Sequence, residues 1–236
     1  MQTRRRRLSL ALLGLPLAGC AYRPLPDLPT EASAAPASMP AWRPLATGQR
    51  WTYRKYNGYN AELLATEEHE VTAIDPLVRI RQRNTATSAV QEEVQLAGGR
   101  LLKRDPAWDF VQNYEPALPL WPAELAPGAT SVFWGKYNID GFSYLNWINQ
   151  HTRVRGWEYV QVAQGRMLAL RIEHFIRLQH HDFSRTETTR RDTLWLAPEI
   201  GRWVARETTG EYFVGGGHGG YRGREAHHRW ELVSWA

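Results

Sequence analysis

The residues from 167 to 178 alternate without a break. Leu168, Leu170, Ile172, His174, Ile176 and Leu178 hold the even positions, and Arg171, Glu173 and Arg177 fall among the odd ones. Period two marks a strand whose two sides see different surroundings, and here the even side is expected to face the core. A helix would scatter the same apolar residues around its circumference. Further strand candidates occupy 49–56, 62–74, 77–85, 90–96, 157–162, 184–196, 202–207 and 226–235. Helical periodicity is almost absent. The expectation is one all-β, mainly antiparallel domain over 45–236. It would be a single curved sheet of about 10–12 strands, either a half-barrel or a sandwich, with little helix.

Two registers can be read from the connections. If Asp75-Pro76 joins two strands directly, Glu70 falls opposite Arg81 and Glu68 opposite Arg83, a charge ladder suited to a solvated sheet face. A Gln164-Gly165 turn would set Tyr159 opposite Leu170 and Trp157 opposite Ile172. The proline-rich stretch 116–127 is expected to separate two halves of the sheet. The two halves begin on loosely similar segments, 48–53 and 128–134.

The N-terminal region follows a different logic. Four arginines, Arg4 to Arg7, precede a short apolar run that ends in Leu17-Ala18-Gly19-Cys20, and Cys20 is the sole cysteine. A basic start, an apolar run of about ten residues and small residues before a cleavage point describe an export signal. The run falls well short of the roughly 20 residues that cross a bilayer. Leu17, Ala18, Gly19 and Cys20 resemble the lipobox of bacterial lipoproteins. That resemblance implies removal of 1–19, attachment of lipid to Cys20, and a place in the cell envelope. Ala21 occupies the position where aspartate resembles an inner-membrane retention signal, so the outer membrane, facing the periplasm, is the expected site. Arg5 to Leu10 is loosely similar to a twin-arginine signal as well. Between Ala21 and Pro44 stand six prolines, which suggests that 20–44 is a lipidated cysteine followed by a tether. Fully extended, such a tether would reach about 70 Å.

Composition then excludes one class of partner. The formal charge is +5, but residues 1–19 carry four arginines and no acids; without them 25 basic residues face 24 acidic ones. No nucleic-acid ligand is expected from so balanced a chain.

Residues 156–173, followed by Thr193 to Val204 with its Trp195-x-x-Pro198-x-x-Gly201 corner, resemble exported bacterial β-proteins of no assigned chemistry. Lipobox, tether and antiparallel sheet together resemble the periplasmic lipoprotein carrier and its outer-membrane receptor, whose half-barrels hold acyl chains. This sequence lacks the long helix with which those proteins line their cavity.

No Gly-x-Ser-x-Gly, His-Glu-x-x-His or Gly-x-x-x-x-Gly-Lys-Ser/Thr motif occurs. No catalytic residue, metal or cofactor is therefore assigned, and the chain is expected not to be an enzyme. His180-His181-Asp182 and His227-His228 hold metal-ligating types, but neighbours on a strand point to opposite faces. His174, among aliphatic residues, fits a core histidine or a polar contact in a ligand cavity shared with Trp157 and Tyr159. Trp134, Tyr137, Tyr144 and Trp147 form an aromatic group that could stack on sugar, and Asp140 and Glu158 are the acids a polysaccharide hydrolase would use. The glycine-rich stretch 215–223 reads as a long hairpin loop. The function expected is a membrane-anchored, non-catalytic module that binds an apolar ligand, such as a lipid, or an envelope protein. The alternatives are a structural or assembly subunit of an envelope complex and the hydrolase.

Overall fold

The computed structural model describes residues 23–215 and 219–236. Cys20, the lipobox and residues 216–218 of the glycine-rich stretch lie outside the described residues. Among the described residues there are fourteen strands and one 3-10 turn. The strands are β1 Thr30–Ser33, β2 Arg50–Asn57, β3 Leu63–Ala73, β4 Leu77–Asn84, β5 Val90–Leu96, β6 Leu101–Asp105 and β7 Gln112–Pro119. After them come β8 Thr130–Ile139, β9 Asn146–Val162, β10 Gly165–Leu178, β11 Arg185–Ala197, β12 Arg202–Val214, β13 Tyr221–Arg224 and β14 His228–Trp235. The 3-10 turn, Pro198–Ile200, lies between β11 and β12.

All pairings are antiparallel, and β8 pairs back onto β9, so the sheet closes into a 12-strand barrel. This corrects the expectation of an open half-barrel or sandwich. Closure depends on the length of β9, whose 17 residues serve two neighbours along one edge. Its first half pairs with β8, and Trp157 to Val160 pair with β1. The proline-rich stretch does not divide the sheet, because Pro116 and Pro119 lie within β7 and supply part of the wall.

The charge ladder has the expected register, with Glu70 opposite Arg81 and Glu68 opposite Arg83, and both pairs form ion pairs on the exposed face. The β9–β10 hairpin differs. Its two-residue loop is Ala163-Gln164, so Leu170 faces Trp157 and Leu168 faces Tyr159. Gly165 has the positive φ that made it look like a turn residue, but it is the first residue of the returning strand. At Arg155 an extra residue enters β9, leaving Arg171 opposite Gly156 and Ile172 opposite Val154. On one side of this bulge the even residues Ile172, Ile176 and Leu178 join the main core. Toward the hairpin tip it is Met167 and Ala169 that do so, while Leu170 packs with Val154 and Trp157 in a separate cluster. One uniformly buried even side does not exist.

The barrel is filled. Trp51, Tyr53, Tyr137, Leu102, Ile148 and Leu194 are fully buried within it. So are two ionic clusters. Arg202 on β12 donates through both terminal nitrogens to Glu93 on β5, at 3.2 and 2.8 Å, and the His69 ring lies 3.2 Å away. Arg206 on β12 donates to both Asp192 oxygens on β11 and to Asp105 on β6. The two cavities beside these clusters measure about 20 and 10 Å³, room for a water at most.

Residues 23–44 lie along the barrel and do not stand off from it. The Leu25 amide donates to Gly58 O at 3.1 Å, Leu28 is buried, β1 extends the sheet beside β9, and the Arg43 amide donates to Pro198 O at 2.9 Å. The 70 Å reach therefore does not hold for this segment. Its far end is seated by the Trp195-x-x-Pro198-x-x-Gly201 corner. Gly201 has φ of +65°, and a Cβ there would collide with the Arg43 carbonyl, so only glycine fits both the turn and the arm.

Candidate binding site at one end of the barrel

The connections after β6, β10 and β13 gather with the end of β8 around a pocket of about 240 Å³. Trp108 and Phe110 enter it from the β6–β7 loop, His180 and His181 from the turn after β10, and His228 from the start of β14. Its deepest charged group is Arg190 on β11, which is 7% exposed. Alternation places Arg190 on the same side of β11 as Asp192, Leu194 and Leu196, and the strand carries its guanidinium inward.

One face of that guanidinium is covered by the Trp108 ring, 3.7 Å from its centroid. Burial pulls the Arg190 pKa below the ordinary arginine value, against the pull of Asp192 and Asp105. Its Nε and Nη2 are sealed from solvent and have no hydrogen-bond acceptor among the described residues. Arg185, nearer the rim, is engaged: Nη1 donates to Glu225 at 2.7 Å, and the guanidinium stacks on Tyr212 at 3.9 Å.

The histidines of the pocket are held neutral. Desolvation, with His181 and Arg185 close by, lowers the His180 pKa to about 4. Desolvation, with Lys55 and Arg190, lowers His228 to about 3. Desolvation also keeps Glu225 above the usual carboxylate range. His180 and His181 share the pocket because both lie beyond the end of β10, where strand alternation no longer applies; their ring centroids are 4.0 Å apart. His227 is elsewhere, 2.6 Å from Glu207 and edge-on to Tyr59. Among the described residues no three His, Cys, Asp or Glu side chains are grouped to hold a metal ion.

The three residues expected to share a cavity do not come together. His174 is buried in the barrel, its Nδ1 2.8 Å from Thr152 Oγ1, and desolvation lowers its pKa to about 4. Trp157 is packed in the small cluster beyond the bulge, and Tyr159 is half-buried under the Arg166 guanidinium at 3.7 Å. The two acids are also apart. Asp140 is clamped by Arg104 at the β8–β9 turn, and Glu158 accepts the Trp195 indole hydrogen in the far half of β9.

The aromatic group divides as well. Tyr137 is buried and donates to Gln179 O at 2.7 Å. Trp134 and Trp147 are exposed on the outer wall, with ring centroids 6.4 Å apart, and Tyr144 meets the exposed Phe183 edge-on at the pocket end. Phe142 and Leu145 are exposed as well. Arg190 and Trp108 were not singled out from sequence. The parity of Arg190 with Leu194 and Leu196 was the available signal, but the partner loop at 106–111 has no pattern pointing to β11.

No known family and no curated protein matches this chain. One solved structure is similar, a candidate lipoprotein from Parabacteroides distasonis ATCC 8503, at 12% identity, covering 82% of this chain and 97% of that one, with a TM-score of 0.48. The barrel described above rests on this chain's own strand pairings and not on that likeness.

Proposed function

We propose that this protein is a lipid-anchored, non-catalytic binding module of a bacterial envelope, held in the outer membrane through Cys20 and facing the periplasm, and that it engages a protein partner through the outside of its barrel. The observation that carries the reading is the exposure of large aromatics outside a packed core: the Trp134–Trp147 pair, the Tyr144–Phe183 pair and Phe142. Large aromatic side chains left exposed on a well-packed protein are characteristic of an interaction site. The cavities beside the two buried ionic clusters hold a water at most, which favours a partner outside the barrel over an apolar ligand among those clusters.

Two measurements test the reading. Cys20→Ser should move the protein from the membrane fraction to the soluble fraction; membrane retention would reject the anchor. A photo-crosslinking residue at Trp134 should give one reproducible protein adduct in the native envelope, and the same residue at Arg83, on the charge ladder, should not. Equal labelling from both positions would reject the docking surface.

A further inference from the structure

Exposed apolar side chains are spread unevenly between the two ends of the barrel. In a closed antiparallel sheet alternate connections emerge at the same end, so those after β6, β8 and β10 share the pocket end. Each leaves large apolar side chains open to solvent: Phe110 in the first, Phe142, Tyr144 and Leu145 in the second, Phe183 in the third. In the connections of the opposite end, after β3, β5, β7, β9 and β11, Ile74 is the one such side chain among the described residues. The three connections are tied to one another. The Asp140 amide donates to Val111 O at 3.3 Å, and Gln179 Nε2 donates to Tyr144 Oη at 3.3 Å. The Tyr144 and Phe183 rings meet edge-on with centroids 5.3 Å apart, and Phe110 stands edge-on to His181 at 4.7 Å.

We propose that this end of the barrel rests on the lipid bilayer, with Phe110, Phe142, Tyr144, Leu145 and Phe183 set at the headgroup level. The inference rests on the lipid proposed at Cys20 and leaves the Trp134–Trp147 pair on the wall for the protein partner. Position supports it first. The Leu25 amide donates to Gly58 O in the connection after β2, at this same end, and Cys20 lies five positions earlier, within about 18 Å. A lipid there brings the bilayer to these loops, and a protein docked on them would have to fit into that gap. Side-chain type supports it next, because phenylalanine, leucine and tyrosine are residues that settle between headgroups and acyl chains. Charge then sets the kind of surface. Residues 106–111, 140–145 and 179–184 contain no lysine or arginine. Asp140 is clamped by Arg104 at 2.6 Å, Asp182 accepts the Ser184 amide at 3.0 Å, and Asp109 is exposed at the rim. Loops without a cation gain nothing from anionic lipid, so the contact is apolar and suits zwitterionic headgroups.

The test uses the full-length protein with its own lipid, reconstituted in vesicles of phosphatidylcholine and phosphatidylethanolamine. Cys20 is the sole cysteine, so with lipid on its sulfur Phe183→Cys or Ile74→Cys supplies the one free thiol for a fluorophore. Lipid spin-labelled at the headgroup should remove about half or more of the emission at 183 and little at 74, and about 0.5 M salt should not reverse this. Adding Phe110→Ser, Phe142→Ser and Tyr144→Ser, all at exposed positions, should bring the loss at 183 down to that at 74. An unchanged loss in that variant would show that the tether alone brings this end near lipid, and would overturn the contact. Equal loss at 183 and 74 in lipidated protein would overturn it too and leave the anchor standing. An intact mass without lipid on Cys20 would reject the anchor, and this proposal with it. Shielding of the 183 label in native envelopes but not in lipid vesicles would assign this end to a protein and overturn the proposal.

Discussion

Arg206 and Asp105 stand six strands apart whichever way the barrel wall is followed, and their side chains meet at 3.3 Å. The contact spans the full width of the barrel and, with Asp192, sets one arginine between two carboxylates in the buried interior. Buried ionic groups tolerate the loss of one partner poorly, because the survivor keeps its desolvation cost. Arg206→Leu leaves both aspartates without their cation. It should destabilise the fold by about 3–5 kcal/mol, read from urea denaturation. Replacing Arg206, Asp192 and Asp105 together with apolar residues should cost much less than the single change.

Glu70 gives the contrast. It bridges Arg50 and Arg81 on the outer face, where water already solvates all three groups. Glu70→Gln should leave the urea midpoint nearly unchanged, and 0.5 M salt should erase what difference remains.

His174 makes stability depend on pH. The unfolded chain takes up its proton near pH 6.5, whereas the folded chain does so only near 4. Above pH 6.5 neither state is protonated and the full stability is present. As pH falls from 6.5 toward 4 the unfolded state gains the proton first, so stability is lost through that window, by roughly 3 kcal/mol at most from this group. His228 acts in the same direction. Thermal melts of wild type and His174→Gln between pH 7 and 4 should show a shallower decline in the variant.

Gly201 tests the seating of the arm. An alanine there would hold an unfavourable positive φ and press its Cβ on the Arg43 carbonyl. Gly201→Ala should cost about 1–3 kcal/mol. Hydrogen exchange should quicken first at the Arg43 amide, which is bonded to Pro198 O.

The β class, the charge ladder and most strand positions were legible in sequence because each depends on neighbouring residues. Opposite charges at Glu70 and Arg81 report a local register, and alternation in β10 reports a strand. Closure was not legible: it depends on β8 meeting β9 edge to edge, and Pro116 made the preceding wall look like a break. The bulge at Arg155 was hidden too, since β9 keeps its own pattern while its relation to β10 changes. The pocket is assembled from β6–β7, β10–β11 and β13–β14, distant segments that share no spacing rule. His180 and His181 could be noticed in sequence, but not their convergence on Trp108 and Arg190.

The arm begins at Leu25, bonded to Gly58 on the β2–β3 hairpin, and Gly58 also donates its amide to His227 O beside the end pocket. Leu25 lies five positions after Cys20, a span of at most about 18 Å. A lipid on Cys20 would therefore moor the barrel short and by its pocket end, with the distal corner at Gly201 pointing away from the bilayer. In that orientation the end pocket would exchange its contents with the thin aqueous layer at the membrane surface, while Trp134 and Trp147 on the side wall stay open to a neighbour lying in the same plane.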